Sequence, residues 1–201
     1  MNDPAKTATT AEPLHPLLAE RWSPRAFDPE HQLTERQTTA LLEAARWAPS
    51  AGNSQPWRFA VAHRGTPAHA GVLDALDRGN QVWAHAAAAL IVVAAQSVTA
   101  DGATRPWAAY DTGQAVAHLS VQAQHDGLAV HQMGGFDRGR IATLLVGDGT
   151  LTPLTVVAVG RRVDAGRLDE TLAARERATR QRLPITDLLL SVRPAPVPDR
   201  S

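Results

Sequence analysis

The sequence predicts a mixed α and β domain, and three observations carry that reading. Leu41, Ala44, Ala45 and Ala48 recur at helical spacing. LIVVAA at 90–95 is an apolar, β-branched run of strand length. Helical and strand-like segments mix along the chain with no internal repeat.

The elements follow in order. Thr34 and Gln37 have the spacing of a capping box, and the helix they open is ended by Pro49. RFAVA at 58–62 reads as a strand, and a weaker helical pattern covers 67–78. LIVVAA at 90–95 reads as a buried strand. The strongest helix is expected over 111–126, with Asp111 as its cap, Ala115, Leu119, Gln122 and Ala123 on one face, and Gly127 at its C-terminal end. LAVHQM at 128–133 is a strand, and Asp137 caps a short helix in FDRGRIATLLV. GDG at 147–149 reads as a hairpin turn, and LTVVAVG at 154–160 as a strand ended by Gly160. A polar helix is expected to about 178.

The 201 residues suit one domain, read as residues 13–201 behind a flexible N-terminal tail over 1–12. The composition is 44% hydrophobic, enough for a core. Formal net charge is zero, which gives no support to a nucleic-acid partner. The absence of cysteine excludes disulfides, thiolate nucleophiles and cysteine metal sites. MNDPAKTATTAEPLH has no apolar segment of a secretory signal, and AAAALIVVAA at 86–95 falls short of the roughly 20 residues that span a bilayer. A soluble, cytoplasmic protein without a membrane partner is expected.

Four stretches can carry chemistry. In RWSPRAF at 21–27, Arg21, Ser23 and Arg25 alternate, so an extended segment puts two guanidinium groups and a hydroxyl on one face, a donor set that suits a phosphate. The plain alternative is an edge segment with surface arginines. In APSAGNSQPW at 48–57, Ser50, Asn53 and Gln55 can meet the edge of a flat polar heterocycle, with small residues allowing close approach. The alternative there is a capped helix end and a proline turn, with Trp57 in the core. In HQMGGFD at 131–137, paired glycines at a strand end allow close backbone approach or a plain turn. In TRQRLP at 179–184, Arg180 and Arg182 alternate and can join Arg21 and Arg25 at one phosphate, or belong to a solvated helix with Arg175 and Arg177. His118 and His125 are two helical turns apart, too far to share a metal, and no metal site is expected.

Taken in order, Arg-x-Ser-x-Arg-x-Phe, AARWAPSAGNSQPWRF, GNQVWAHAA, HQMGGFD, VVAVGR and RQRLP resemble the nitroreductase-like family of FMN-dependent oxidoreductases, over about residues 15–188. The resemblance implies an α+β fold with a central, mostly antiparallel sheet flanked by helices. It implies an obligate homodimer with two FMN molecules at the interface, each touched by both subunits. Arg21, Ser23 and Arg25 match the phosphate and ribityl binders, with Trp22 adding a main-chain contact. Pro49, Ser50, Ala51 and Asn53 match the segment that lines the isoalloxazine from the partner subunit, and Gln55 orients that loop. Asn80 matches a ribityl or ring contact, and Trp83 stands where some relatives carry a lysine near the ring. Gln132, Met133, Gly134 and Gly135 match the strand end facing flavin N5 through backbone N–H groups, without the glutamate that many relatives have. Arg180 and Arg182 match the C-terminal basic pair at the phosphate.

The activity implied is NAD(P)H-dependent reduction of a nitroaromatic, quinone or flavin-type acceptor by a ping-pong mechanism, with no side chain required as nucleophile or base. A biosynthetic FMN-dependent dehydrogenase or reductase with a dedicated substrate, and a non-catalytic flavin-binding redox sensor, are the alternatives. Trp107 and Tyr110 are the aromatic candidates for the substrate pocket.

Overall fold

The computed structural model describes residues 6–147 and 149–192. The helices are α1 (Pro16–Ala19), α2 (Glu35–Arg46), α3 (Pro67–Asp74), α4 (Arg78–Ala84), α5 (Ala108–His125), α6 (Arg138–Leu144) and α7 (Glu170–Arg177). The strands are β1 (Trp57–His63), β2 (Ala89–Gln96), β3 (Ala129–Met133) and β4 (Leu151–Gly160). They form one antiparallel sheet in the order β1-β2-β4-β3.

Alternation along the two central strands sorts the core into two halves. Ile91, Val93, Val157 and Val159 face α2 and α5, where Leu41, Ala45, Ala115, Val116 and Leu119 complete one cluster. Leu90, Val92, Val156 and Ala158 face the other way and pack with Val72, Leu76, Trp83, Ile141 and Leu172. The sheet is thus covered on both faces, which is why β2 is an unbroken apolar run rather than an alternating one. Pro153 is tolerated within β4 because it lies beside the register shift between Val93 and Ala94, where the ladder is already irregular.

Three of the start and stop signals operate as read. Thr34 and Gln37 make both bonds of the capping box, and the Asp137 carboxylate accepts the Arg140 N–H. Gly127 has the left-handed φ of 69° that a C-terminal cap requires.

Four expectations need correction. The segment 67–78 is two helices, because Leu76 is drawn into a bridge with Phe136 and the Asp77 N–H turns to the Gly135 carbonyl. Tertiary bonds outweigh helical continuity there. Asp111 does not cap α5, which starts three residues earlier; its carboxylate is committed to another loop. GDG at 147–149 connects α6 to β4 rather than two strands, with Asp148 outside the described residues. Residues 6–8, expected in a flexible tail, are docked: Lys6 is only 4% exposed and the Ala8 N–H donates to the Ala19 carbonyl at 2.9 Å. Residues 1–5 of that tail lie outside the described residues.

Candidate functional site

Three arginines from opposite ends of the chain converge. The Arg21 guanidinium lies below its ordinary pKa because of burial first and the charge of Arg182 second. Arg180 is lowered by burial, then by the charges of Arg21 and Arg182. Like charges brought this close raise the energy of the charged forms. None of the three forms an ion pair among the described residues. Helix α7 ends at Arg177, so Arg180 and Arg182 lie beyond it on an irregular segment that can turn toward Arg21. A cluster of this kind fits a dianionic phosphate, which would replace mutual repulsion with charge-assisted hydrogen bonds.

Arg25 and Ser23 adjoin this cluster on the same extended segment, with the Ser23 side chain exposed. A carboxylate that sequence reading missed sets the backbone here. Glu176 of α7 is 4% exposed, and its Oε1 accepts the N–H groups of Arg25 at 2.8 Å and Ala26 at 3.2 Å. Its Oε2 lies 3.9 Å from Arg25 Nη1, too long for a hydrogen bond. The Arg25 guanidinium is therefore near a counter-charge without being locked to it. Two cations approach the Trp22 ring, the Lys6 ammonium at 4.7 Å and the Arg162 guanidinium at 5.5 Å from its centroid.

His131 ties this segment to β3. Its Nδ1 is 2.9 Å from the Pro24 carbonyl, which can only accept, so Nδ1 carries the proton. Its ring is 4.5 Å from that of Trp83. Burial, and secondarily the charge of Arg25, lowers its pKa to about 4, although the Pro24 bond opposes the shift. The unfolded chain takes up this proton near pH 6.5 and the native chain only near pH 4. Stability from this residue is complete above pH 6.5 and is lost as pH falls toward 4. Urea denaturation of the wild type between pH 7 and pH 5 should show an acid loss that His131→Gln, which keeps a donor for Pro24, reduces; equal losses in both contradict the assignment.

The loop at 48–57 answers to a different part of the molecule. Gly52, Asn53 and Gln55 have φ of 57°, 56° and 44°. Left-handed backbone is uncommon for asparagine and rarer for glutamine, and costs on the order of 1 kcal/mol or more per residue. The loop's own polar groups hold that shape. Ser50 Oγ accepts the Gln55 N–H at 3.1 Å, and Gln55 Nε2 donates to Asn53 Oδ1 at 3.1 Å. Asp111, 3% exposed on α5, accepts the Ala51 N–H at 3.0 Å. The loop thus presents a fixed outer face with Pro49, Ala51 and Asn53 exposed, while Trp57 is in the core. Trp107 and Tyr110 are exposed near Asp111 and meet edge to face at 6.5 Å.

The end of β3 is the third piece. Gln132 is exposed and its Nε2 donates to Ser120 Oγ of α5 at 3.3 Å. Gly134 is exposed, and the Gly135 carbonyl accepts from Asn80 Nδ2 at 3.1 Å and the Asp77 N–H at 3.0 Å. A Cβ at Gly135 would come within 2.5 Å of Asp77 Oδ2 and 3.1 Å of Asn80 Nδ2. Gly135→Ala should push these side chains aside and cost about 1–3 kcal/mol, read as a lowered urea midpoint. A midpoint equal to the wild type would show that the turn yields freely. Strand alternation sends Met133 inward, and Trp83, 1% exposed, packs against Phe27 and His131. Both side chains belong to the core, so the expected contacts there are limited to the backbone.

One chain does not bring the 48–57 loop to the β3 end. They attach to α5 at Asp111 and Ser120, nine residues apart. That is two and a half turns, or about 13 Å along the axis and on opposite faces. Among the described residues no group of three or more acidic or histidine side chains is arranged for a metal ion, and no helix is long and apolar enough to cross a membrane.

Fold and geometry define an α+β protein with a cluster of three arginines, a hydrogen-bonded polar loop and a glycine-bearing strand end. The sequence profile of the Nitroreductase family matches residues 18–67 and 64–161. The chain belongs to this family. It is 39% identical over 144 residues to an uncharacterized 15.4 kDa protein of Mycolicibacterium smegmatis, covering 68% of this chain and 96% of that one. It is 25% identical over 187 residues to the Bacillus subtilis protein named "Putative NAD(P)H nitroreductase YdgI", covering 75% and 88%. A crystal structure described as an oxidoreductase containing FMN superposes with a TM-score of 0.86 at 34% identity, over 96% of this chain and 98% of that one.

Proposed function

We propose that the protein is an FMN-dependent oxidoreductase that takes hydride from NAD(P)H and reduces a nitroaromatic, quinone or flavin-type acceptor in a ping-pong cycle. The observation that carries this reading is the convergence of Arg21, Arg180 and Arg182 without an ion-pair partner among the described residues. A phosphate-bearing ligand is what such a cluster accommodates, and the 34% identical neighbour contains FMN. Bound FMN supplies the hydride-accepting and hydride-donating chemistry.

The chain's own residues bind and orient. Arg21, Arg180 and Arg182, with Arg25 and Ser23 beside them, hold the phosphate and the adjoining polyol. Gln132 and Gly134, both exposed, and the half-buried Gly135 offer backbone at the β3 end to the ring edge. The 48–57 loop lines a ring through Pro49, Ser50, Ala51 and Asn53. Because that loop and the β3 end attach to opposite faces of α5, a complete site takes its loop from a second copy, and the functional unit is a homodimer. Leu183, Ile185, Leu188, Leu189 and Leu190 are exposed on the C-terminal segment, an apolar surface that a dimer would cover.

Steady-state NADH and NADPH oxidation against a panel of nitroaromatics, quinones and free flavin tests the activity. Turnover well above the rate with oxygen alone is expected, with parallel double-reciprocal lines. No acceptor exceeding the oxygen rate would contradict it.

A further inference from the structure

The matched family region starts at residue 18, yet the anion site is held together from further upstream. The Lys6 ammonium donates to the Ala178 carbonyl at the C-terminal cap of α7, where a cation also meets the negative end of the helix dipole. The Lys6 carbonyl accepts from Arg180 Nη1 at 2.7 Å, and the same nitrogen donates to the Ala19 carbonyl at 2.9 Å. Ala19 also accepts the Ala8 N–H at 2.9 Å. Lys6 therefore grips the segment carrying Arg180 on one side and the Arg180 guanidinium itself on the other. A lysine is almost never this buried without such compensation.

We propose that residues 6–8 are a brace for the anion site, with Lys6 as a positioning residue that fixes Arg180 opposite Arg21 and Arg182. The brace governs affinity for the phosphate group and not for a flavin ring. Without it, Arg180 loses both the carbonyl that aims its guanidinium and the anchor at Ala178, and three mutually repelling cations separate. The ligand's being FMN rests on the function proposed above; the anion site does not.

The test uses the full chain, Lys6→Met, and Ala8→Pro, which removes the Ala8 N–H bond to Ala19 while leaving the Lys6 side chain in place. Binding of FMN and of riboflavin, which lacks the phosphate, is measured by fluorescence quenching, and the melting temperature is measured with and without inorganic phosphate. In Lys6→Met the FMN Kd should rise about tenfold, as for the loss of one well-aimed charged hydrogen bond, with riboflavin unchanged. The stabilisation by phosphate should shrink in parallel. Ala8→Pro should show the same pattern more weakly, and it decides the matter if Lys6→Met does not fold. Equal weakening of FMN and riboflavin, or an unchanged FMN Kd with undiminished phosphate stabilisation, overturns the brace. If the wild type binds neither flavin but phosphate stabilises it more than the variants, the brace stands and the FMN reading fails.

Discussion

Arg21→Gln is expected to weaken FMN binding by about 10- to 100-fold while leaving riboflavin binding within a factor of two, because a charge-assisted hydrogen bond to phosphate is worth roughly 1.5–3 kcal/mol. The selectivity for the phosphate-bearing flavin is what distinguishes this from a general loss of structure. A second consequence follows from the mutual repulsion of Arg21, Arg180 and Arg182. Removing one charge from a crowded trio relieves strain in the ligand-free protein, so its melting temperature should stay level or rise. High salt should weaken FMN binding in the wild type more than in Arg21→Gln, since one fewer cation remains to be screened. If both flavins weaken alike, the arginines serve the fold and not the phosphate.

Glu176→Ala should be the most destabilising single change at this end of the molecule, costing roughly 3 kcal/mol, because it leaves buried N–H groups without an acceptor and opens a cavity. The N–H groups are those of Arg25 and Ala26. Glu176→Gln keeps an acceptor at Oε1 and loses only the charge near Arg25, so about 1 kcal/mol is expected. Urea denaturation of the ligand-free protein resolves the two. Similar small losses in both would mean that water takes over from the carboxylate, and that Glu176 does not set the 25–26 backbone.

What the sequence made legible follows from how local each signal is. The α2 start was readable because Thr34 and Gln37 satisfy each other within one turn. β2 was readable because burial on both faces demands an unbroken apolar run. The break between α3 and α4 was not, since it depends on Leu76 and Asp77 bonding to residues some sixty positions away. The same reasoning applies to the site. The arginine pairs were visible as alternating cations, and order along the chain linked them. Glu176 carried no such mark: it stands between Arg175 and Arg177 in a polar helix, and only the packing of α7 turns it inward. The polar residues of the 48–57 loop were visible, yet Ser50, Gln55 and Asn53 bond largely to one another, which periodicity does not reveal. Lys6 sat in a stretch whose composition reads as mobile, and its burial depends on Ala178 and Trp22, far along the chain.

In the function proposed above, this fold holds FMN and passes electrons to it from a nicotinamide. The most direct test of that function is the visible absorbance spectrum of the purified protein, incubated with FMN and freed of excess, before and after anaerobic NADPH. Flavin bands that co-purify with the protein and bleach on addition of NADPH are the result expected. A protein that retains no flavin, or whose flavin bands persist under NADPH and NADH alike, would contradict it.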